Sequence, residues 1–418
     1  MLCAPEGDVW RVPALGHFAS QERQLRSNHW GCRIALGRDC AHFTEMVLAS
    51  SARMTLTAVR SMPAVEAAWR TLEAEADPSF FQSWTWVGCL AEERFRRPVL
   101  LTASRDNRTV GLALLNCTPG PFGSERLWLN ESGDPVLDSV YTEHNGFLLA
   151  RDATDLLPAC LWTMLRGPIQ PDMQQAGTWG RRLRLAGVDS AHLAAGQKAG
   201  TVRLLKKTVA PFVNLASLAP GPDGYLTTLS GNTRYQLRRS NRCFARLGPI
   251  ELRQAETEPE ALAFLDALAN LHQNTWVARG ERGAFANPQF LRFHRALVAR
   301  ALPRNELELL RISAGGQILG YLYNFRLRGR VFTYQSGFDY AAAAALAGPH
   351  AKPGLTCHYT AILRAQSDGA VSYDFLAGPD RYKSSLTRAA TPLYWLDAVP
   401  RFSGQSMALW LKGLAGWR

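Results

Sequence analysis

No Cys-x-x-Cys pair occurs in this chain, and its eight cysteines are spread thinly over 418 residues. That density excludes a disulfide scaffold and fits mostly free thiols in a reducing compartment. Long apolar runs are missing as well. A membrane-spanning helix needs about 20 apolar residues, and the nearest run is the short "YAAAAALAG" at Tyr340 to Gly348. The first residues show no basic cap followed by an apolar core and a small-residue cleavage site, so no secretory leader is expected. A soluble, cytoplasmic protein without a transmembrane segment is the expectation. Acidic residues are also short in number, 35 against 47 Lys and Arg, for a net charge of +12. Such a surface attracts polyanions, acidic membrane faces or phosphorylated ligands without choosing among them.

What is abundant is apolar and aromatic material. The chain is 47% hydrophobic and holds 12 Trp, 18 Phe and 11 Tyr, enough for sizeable cores. Single cores stop growing at roughly 250 to 300 residues, so two domains are expected.

Patterned sequence begins just after Met54, and residues 1–53 read as a poorly ordered extension. Within it His29, Cys32, Cys40 and His42 lie close together, but their spacing matches no zinc motif, and no metal is expected. From Pro63, two helical segments are followed by the strand-like "PVLLTAS" and "TVGLALLNC". In the second half, "EALAFLDALANLHQNTW" and "NPQFLRFHRALVARAL" read as helices before the strands "LELLRIS" and "QILGYLYNF". The order helix, helix, hairpin thus occurs twice. Phe81 and Phe290, Trp84 and Phe293, and Gly111 and Gly320 are each 209 residues apart, while Trp69 and Trp276 are 207 apart. A tandem duplication follows, with domains at 54–214 and 215–400 and a tail at 401–418.

"SGNTRYQLRRSNRCFARLG", Ser230 to Gly248, reads as an arginine-rich helix opening the second domain, with Ser230 or Asn232 as its N-cap. Arg234, Arg238 and Arg242 recur every four residues on one face. That face meets either anionic groups or solvent. Further on, "GPHAKPG" lies between the strand "RVFTYQSGFDY" and the helix "LTCHYTAILRAQSDG". Free N–H groups at a helix N-terminus attract anions, and Gly348, Lys352 and Gly354 suit such a loop. A simple turn is the plainer alternative. Asp374 ends the next strand, "AVSYDFLAG", where a carboxylate can serve as a general base or merely accept loop hydrogen bonds.

The series "SGNTRYQLRRSNRCFARLG", "LHQNTWVARGERGAF", "FLRFHRAL", "LELLRIS", "LGYLYNF", "YQSGFDY", "KPG" and "YDFLAGPDRYK" resembles the cellulose-biosynthesis-type (CelD/BcsL-like) acetyltransferases of the GNAT superfamily. The likeness runs from about Tyr225 to Tyr394. It implies an α/β fold of tandem GNAT-like domains, as in FemAB-like relatives, each a mostly antiparallel mixed sheet flanked by helices. It also implies acetyl-CoA or another acyl-CoA as co-substrate, its pyrophosphate on the loop Gly348 to Gly354. The usual signature, Arg or Gln-x-x-Gly-x-Gly or Ala, is absent from this loop.

Direct transfer of this kind needs no enzyme nucleophile, so Cys243 and Cys357 have no required role. It needs positioning, a donor for the developing oxyanion, and removal of a proton. Gln335, Ser336 and Gly337 are the expected oxyanion donors, Asp374 and then Asp339 the bases, and Tyr382 the acid toward the leaving thiolate. Arg234, Arg238, His272, Trp276 and Lys383 are the candidates for binding the acceptor. His272 and Trp276 share a helix face, and His272 also reads as a satisfied structural histidine. His358, inside the helix after the loop, carries the same two readings. A small-molecule or saccharide acceptor is expected, for instance a polysaccharide precursor.

The rival readings are a FemAB-like transferase using aminoacyl-tRNA on a cell-wall precursor, a silent binding protein of the same fold, and a basic nucleic-acid-binding protein. Five arginines on phosphates would give a log K against log salt slope near −4.5, from about 0.9 per contact. The chain shows no recognisable nucleic-acid-binding motif, and no stable complex of that kind is expected.

Overall fold

The computed structural model describes residues 52–170, 181–378 and 381–407, without the side chains of Phe122 and Arg381. The His29, Cys32, Cys40 and His42 group and most of the expected tail lie outside them. The strands are β1 (Ala52–Ala58), β2 (Pro98–Arg105), β3 (Arg108–Pro119), β4 (Glu125–Leu129), β5 (Leu148–Leu149), β6 (Ile169–Gln170) and β7 (Arg181–Val188). They continue as β8 (Thr201–Asn214), β9 (Ile250–Gln254), β10 (Leu307–Ala314), β11 (Gln317–Leu327), β12 (Arg330–Phe338), β13 (Ser372–Asp374) and β14 (Ala390–Val399). The helices are α1 (Met62–Glu75), α2 (Trp84–Arg94), α3 (Leu157–Arg166), α4 (Ser190–Ala199), α5 (Pro222–Leu226) and α6 (Gly231–Ala245). After them come α7 (Glu258–Val277), α8 (Pro288–Ala301), α9 (Tyr340–Ala347), α10 (Pro353–Ser367) and α11 (Arg381–Leu386).

Local chemistry explains the helices that matter for the site. Ser230 caps α6 by accepting from Thr233 N, and Thr233, Leu237, Ser240 and Phe244 form its buried stripe. Thr257 caps α7 in the same way, with Pro259 in its first turn, and buries Ala261, Phe264, Leu265, Leu268 and His272. On the same helix Tyr235 is 56% exposed and takes no part in that stripe.

All the strands belong to one mixed sheet, ordered β6-β1-β2-β3-β4-β7-β14-β8-β13-β12-β11-β10-β9, with β5 on β3. The fold is mixed α/β, helices flanking a large mixed sheet. Each half repeats one pattern. The run β1-β2-β3-β4 is antiparallel and ends on the parallel partner β7. The run β9-β10-β11-β12 is likewise antiparallel and ends on the parallel partner β13. Between them strands are exchanged: β8 pairs with β13, and β14 returns to pair with β7.

The halves also share a core. Trp69, Phe81 and Trp86 of the first half lie in one buried cluster with Phe290, Phe293 and Phe325 of the second. Phe80 stacks on Phe325 at 4.2 Å. A second cluster, with Leu237, Phe244, Leu322, Cys357 and Ile362, lies on the side of the sheet covered by α6 and α10. Among the described residues, no helix is long and apolar enough to cross a membrane.

Candidate active site

β12 and β13 run together only from Arg330–Phe332 against Ser372–Asp374. β12 then continues along β11 to Phe338. The chain after Asp374 turns away, with Phe375 N donating to Pro211 O and Leu376 at φ +58°. A register shift between Tyr323 and Asn324 leaves Tyr334 as a β-bulge, which bends β12 where its neighbour departs. The result is a wedge. A cavity of about 600 Å³ fills it, bounded by Thr333, Tyr334, Gln335 and Ser336 on one side and by Phe375, Ala377, Tyr382 and Lys383 on the other. His272, Trp276 and Arg279 from α7 and its C-terminal end close a third wall.

A second cavity of about 780 Å³ adjoins the first, sharing Arg279, Phe338, Tyr340 and Tyr382. It lies at the N-terminus of α10 and is also lined by Lys352, Gly354, Asn232 and Gln236. The first turn of α10 presents N–H groups without helical partners, and the helix dipole makes this end positive. Lys352 adds a cation, its Nζ donating to Gln236 Oε1 at 2.7 Å. A polar seam fixes the loop to α6: Lys352 N donates to Ser240 Oγ at 2.9 Å, and Ser240 meets Thr356 Oγ1 at 2.9 Å. Arg279 lies over Trp276 at 5.6 Å, at the junction of the two cavities. The pair of cavities can therefore hold a long ligand with its anionic part at α10 and its other end in the wedge.

The expected site residues fall into two groups. Gln335, Ser336, His272, Trp276, Tyr382 and Lys383 line the wedge cavity, while Lys352 and Gly354 line the second. The others are placed elsewhere. Arg234 donates to Leu226 O and Arg238 faces Asp223 at 3.9 Å, so this face of α6 turns toward α5 and away from both cavities. The helix offers Asn232 and Gln236 to the second cavity instead. Asp339 caps α9, accepting from Ala342 N at 2.8 Å. Gly337 lets α7 approach β12: a Cβ there would meet Leu268 O at 2.4 Å. Gly348 turns the chain at φ +86° with open space where a side chain would stand.

Asp374, the first choice as base, is buried behind the cavity wall. Its Oδ1 accepts from Leu376 N at 2.7 Å, and its Oδ2 lies 3.1 Å from His144 Nε2. The contact is an ion pair when the histidine is protonated. Burial opposes a charge on His144, but Asp374 outweighs it and raises the pKa above the ordinary value. Glu143 is buried beside them and accepts from Ala377 N. Burial raises its pKa, against the lowering effects of that N–H and of the Lys383 charge. Lys383 Nζ donates to Ala377 O at 2.8 Å.

The two helix histidines are neutral fixtures. His272 Nδ1 lies 3.2 Å from Ser336 O and its Nε2 accepts from Ala284 N, while burial lowers its pKa. His358 is fully buried, pushed down to about 3 by burial, and stacks under Tyr382. Cys357 is buried and its thiol pKa is raised, so it is no nucleophile. Among the described residues, no three or more His, Cys, Asp or Glu side chains are grouped to hold a metal ion.

Sequence reasoning missed Tyr141, Glu143, His144 and Arg279. The first three come from the half of the chain that does not carry the wedge, in "VYTEHNGF". Their only signal was a tight group of aromatic and ionisable residues outside any periodic segment.

Residues 231–384 match the family described as the acetyltransferase (GNAT) domain. No curated protein matches the chain. Among solved structures, FemX is 10% identical with a TM-score of 0.55, covering 83% of this chain and 97% of its own. The C-terminal domain of a putative lysylphosphatidylglycerol synthetase from Agrobacterium fabrum is 13% identical with a TM-score of 0.49, covering 84% and 95%. A tandem GNAT protein from the clavulanic acid biosynthesis pathway is 10% identical with a TM-score of 0.40, covering 82% and 98%. At these identities the FemX likeness is one of fold.

Proposed function

We infer from the acetyltransferase (GNAT) domain at residues 231–384 that the chain is an acyltransferase, and propose that it transfers an acyl group from acyl-CoA to an amine or hydroxyl in the wedge cavity. The observation that carries this reading is the continuity of the wedge with the cavity at the α10 N-terminus. The donor's pyrophosphate would lie against the α10 first turn, Lys352 and Arg279, whose charges suit an anion despite the missing phosphate signature. The bound donor supplies an activated thioester. We assign the oxyanion donors to strand N–H groups around Gln335–Gly337, of which Gln335 and Ser336 line the wedge cavity. Tyr382 lines both cavities, which supports its role as the acid toward the departing thiolate. With Asp374 engaged by His144 and Leu376 N, its role is to hold the wall, and Lys383 is the cation that meets the acceptor. The CelD/BcsL-like resemblance supports a saccharide acceptor.

Calorimetric titration with CoA and acetyl-CoA tests the donor. Binding is expected, and Lys352→Ala should weaken it about tenfold, the effect of losing one favourable phosphate contact. Absence of heat at millimolar ligand would refute the donor assignment. FemX shares the fold across both halves, which favours aminoacyl-tRNA as the second donor to try. Native mass spectrometry of the purified chain, with CoA and with aminoacyl-tRNA, separates the two.

A further inference from the structure

Each half of the sheet contains a place where two parallel strands part, and in the first half its own chain fills it. There β4 and β7 pair from Glu125–Arg181 to Trp128–Arg184 and then separate. Asn145 spans the gap, its Nδ2 donating to Leu129 O at 3.2 Å and to Ala186 O at 2.9 Å. Its Oδ1 accepts from Asn130 Nδ2 and Gly146 N, so the buried amide is fully used. The first wedge is thereby closed to ligand.

The residues just before Asn145 reach the second wedge and touch both of its sides. Tyr141 stacks on the bulged Tyr334 at 4.6 Å, its hydroxyl donates to Tyr334 O at 3.0 Å, and Gln335 Nε2 donates to it at 3.0 Å. In return Tyr334 Oη donates to Tyr141 O at 3.1 Å. On the opposite side Glu143 accepts from Ala377 N and His144 pairs with Asp374. His144 sits at φ +46° and Leu376 at φ +58°, two side-chain-bearing residues in the left-handed region. Strain of this sort persists only where the surroundings impose it.

The charges have the same origin. Glu143, Asp374 and Lys383 are each under 10% exposed, and His144 is largely buried beside them. Burying four ionisable groups is a poor route to stability, because desolvation offsets their attraction. Two come from each half, and Lys383 alone of the four lines the cavity.

We propose that Tyr141, Glu143 and His144 are a clamp supplied by the first half, which fixes the width of the second half's wedge and, through Glu143, positions Lys383 at the cavity wall. The first copy has lost its own cleft and serves its partner's. As an account of transfer this rests on the wedge being the acyltransfer site. Glu143 is a positioning residue, acting through Lys383 and Ala377.

The test uses the full chain and reads Lys383 directly. Amine labelling with acetic anhydride is followed by mass spectrometry, with exposed Lys198 as internal reference. Glu143→Gln keeps an acceptor for Ala377 N–H but removes the charge, and Lys383 labelling relative to Lys198 should rise about fivefold, the scale set by one lost partly buried charge pair. CoA affinity should stay within about twofold, while thiol release from acetyl-CoA with primary amines falls at least about tenfold. Glu143→Asp should recover part of the loss, which a packing defect would not predict. A folded Glu143→Gln protein with unchanged labelling and turnover overturns the proposal. Should that variant not fold, Tyr141→Phe decides: the ring stack is kept, so unaltered turnover and labelling again overturn it. If the wild type binds no CoA ester yet Lys383 labelling responds, the clamp stands and the donor reading falls.

Discussion

The residues that decide the site are ones whose ordinary chemistry is altered by neighbours far away in sequence. His144 illustrates this. Its pKa is raised, with Asp374 overcoming the effect of burial, so folding gains from the protonated pair. A group whose pKa is higher in the folded state contributes fully below its unfolded value, about 6.5 for histidine, and loses that contribution as pH rises through the folded value. Glu143, also raised, acts with the same sign from its own lower starting point. Urea midpoints should therefore fall between pH 6 and pH 9, and His144→Gln should flatten that slope; an unaltered slope would assign it to other groups. Asp374 was legible as a strand-end carboxylate, but nothing in "YDFLAG" reveals that both its oxygens are engaged. The lowered pKa of His272 follows from its burial, against the raising effect of Ser336 O, among a strand and a loop whose approach no helical spacing predicts.

Among the elements, α6 changes meaning most. Its four arginines suggested an anion-facing helix, yet Arg234 and Arg238 turn to α5 while uncharged Ser240 holds the loop before α10. The stripe Thr233, Leu237, Ser240 and Phe244 sets this orientation, because apolar burial fixes which face turns inward and the arginines take what remains. Ser240→Ala strands Lys352 N–H and loosens Thr356, and should cost about 1–3 kcal/mol in urea denaturation. The same variant should also weaken CoA binding more than an exposed Arg242→Ala change does, as read by calorimetry. The loop at α10 was visible as a glycine- and proline-bearing turn before a helix, since those residues carry their conformational preferences locally. The wedge was not, because it depends on where β13 stops pairing and on a bulge at Tyr334.

At the scale of the whole molecule, duplication and interlocking determine behaviour. Phe80 and Trp86 meet Phe293, Phe325 and Tyr334 across the halves, and β8 and β14 exchange sides. Phe325→Ala should destabilise by about 3–5 kcal/mol, and calorimetry should show a single unfolding transition for both halves. Two separated transitions would mean the shared core does not couple them. Saturating CoA at about 100 times its Kd should raise stability by about 2.7 kcal/mol in the same experiment. By itself the sequence determined the repeated helix, helix, hairpin order and the loop at α10, because periodicity, turn residues and spacing are local properties of the chain, while the mixed α/β class came with the family resemblance. It also carried the likeness to an acetyltransferase, through the order of short segments from Ser230 onward. Only the tertiary structure decided that the two halves share one sheet, that Asn145 spans the gap in the first, and that Tyr141, Glu143 and His144 contact the two sides of the second half's wedge. The bracing of the second cleft rests on contacts between residues about two hundred positions apart, and no local pattern encodes which buried groups will meet there.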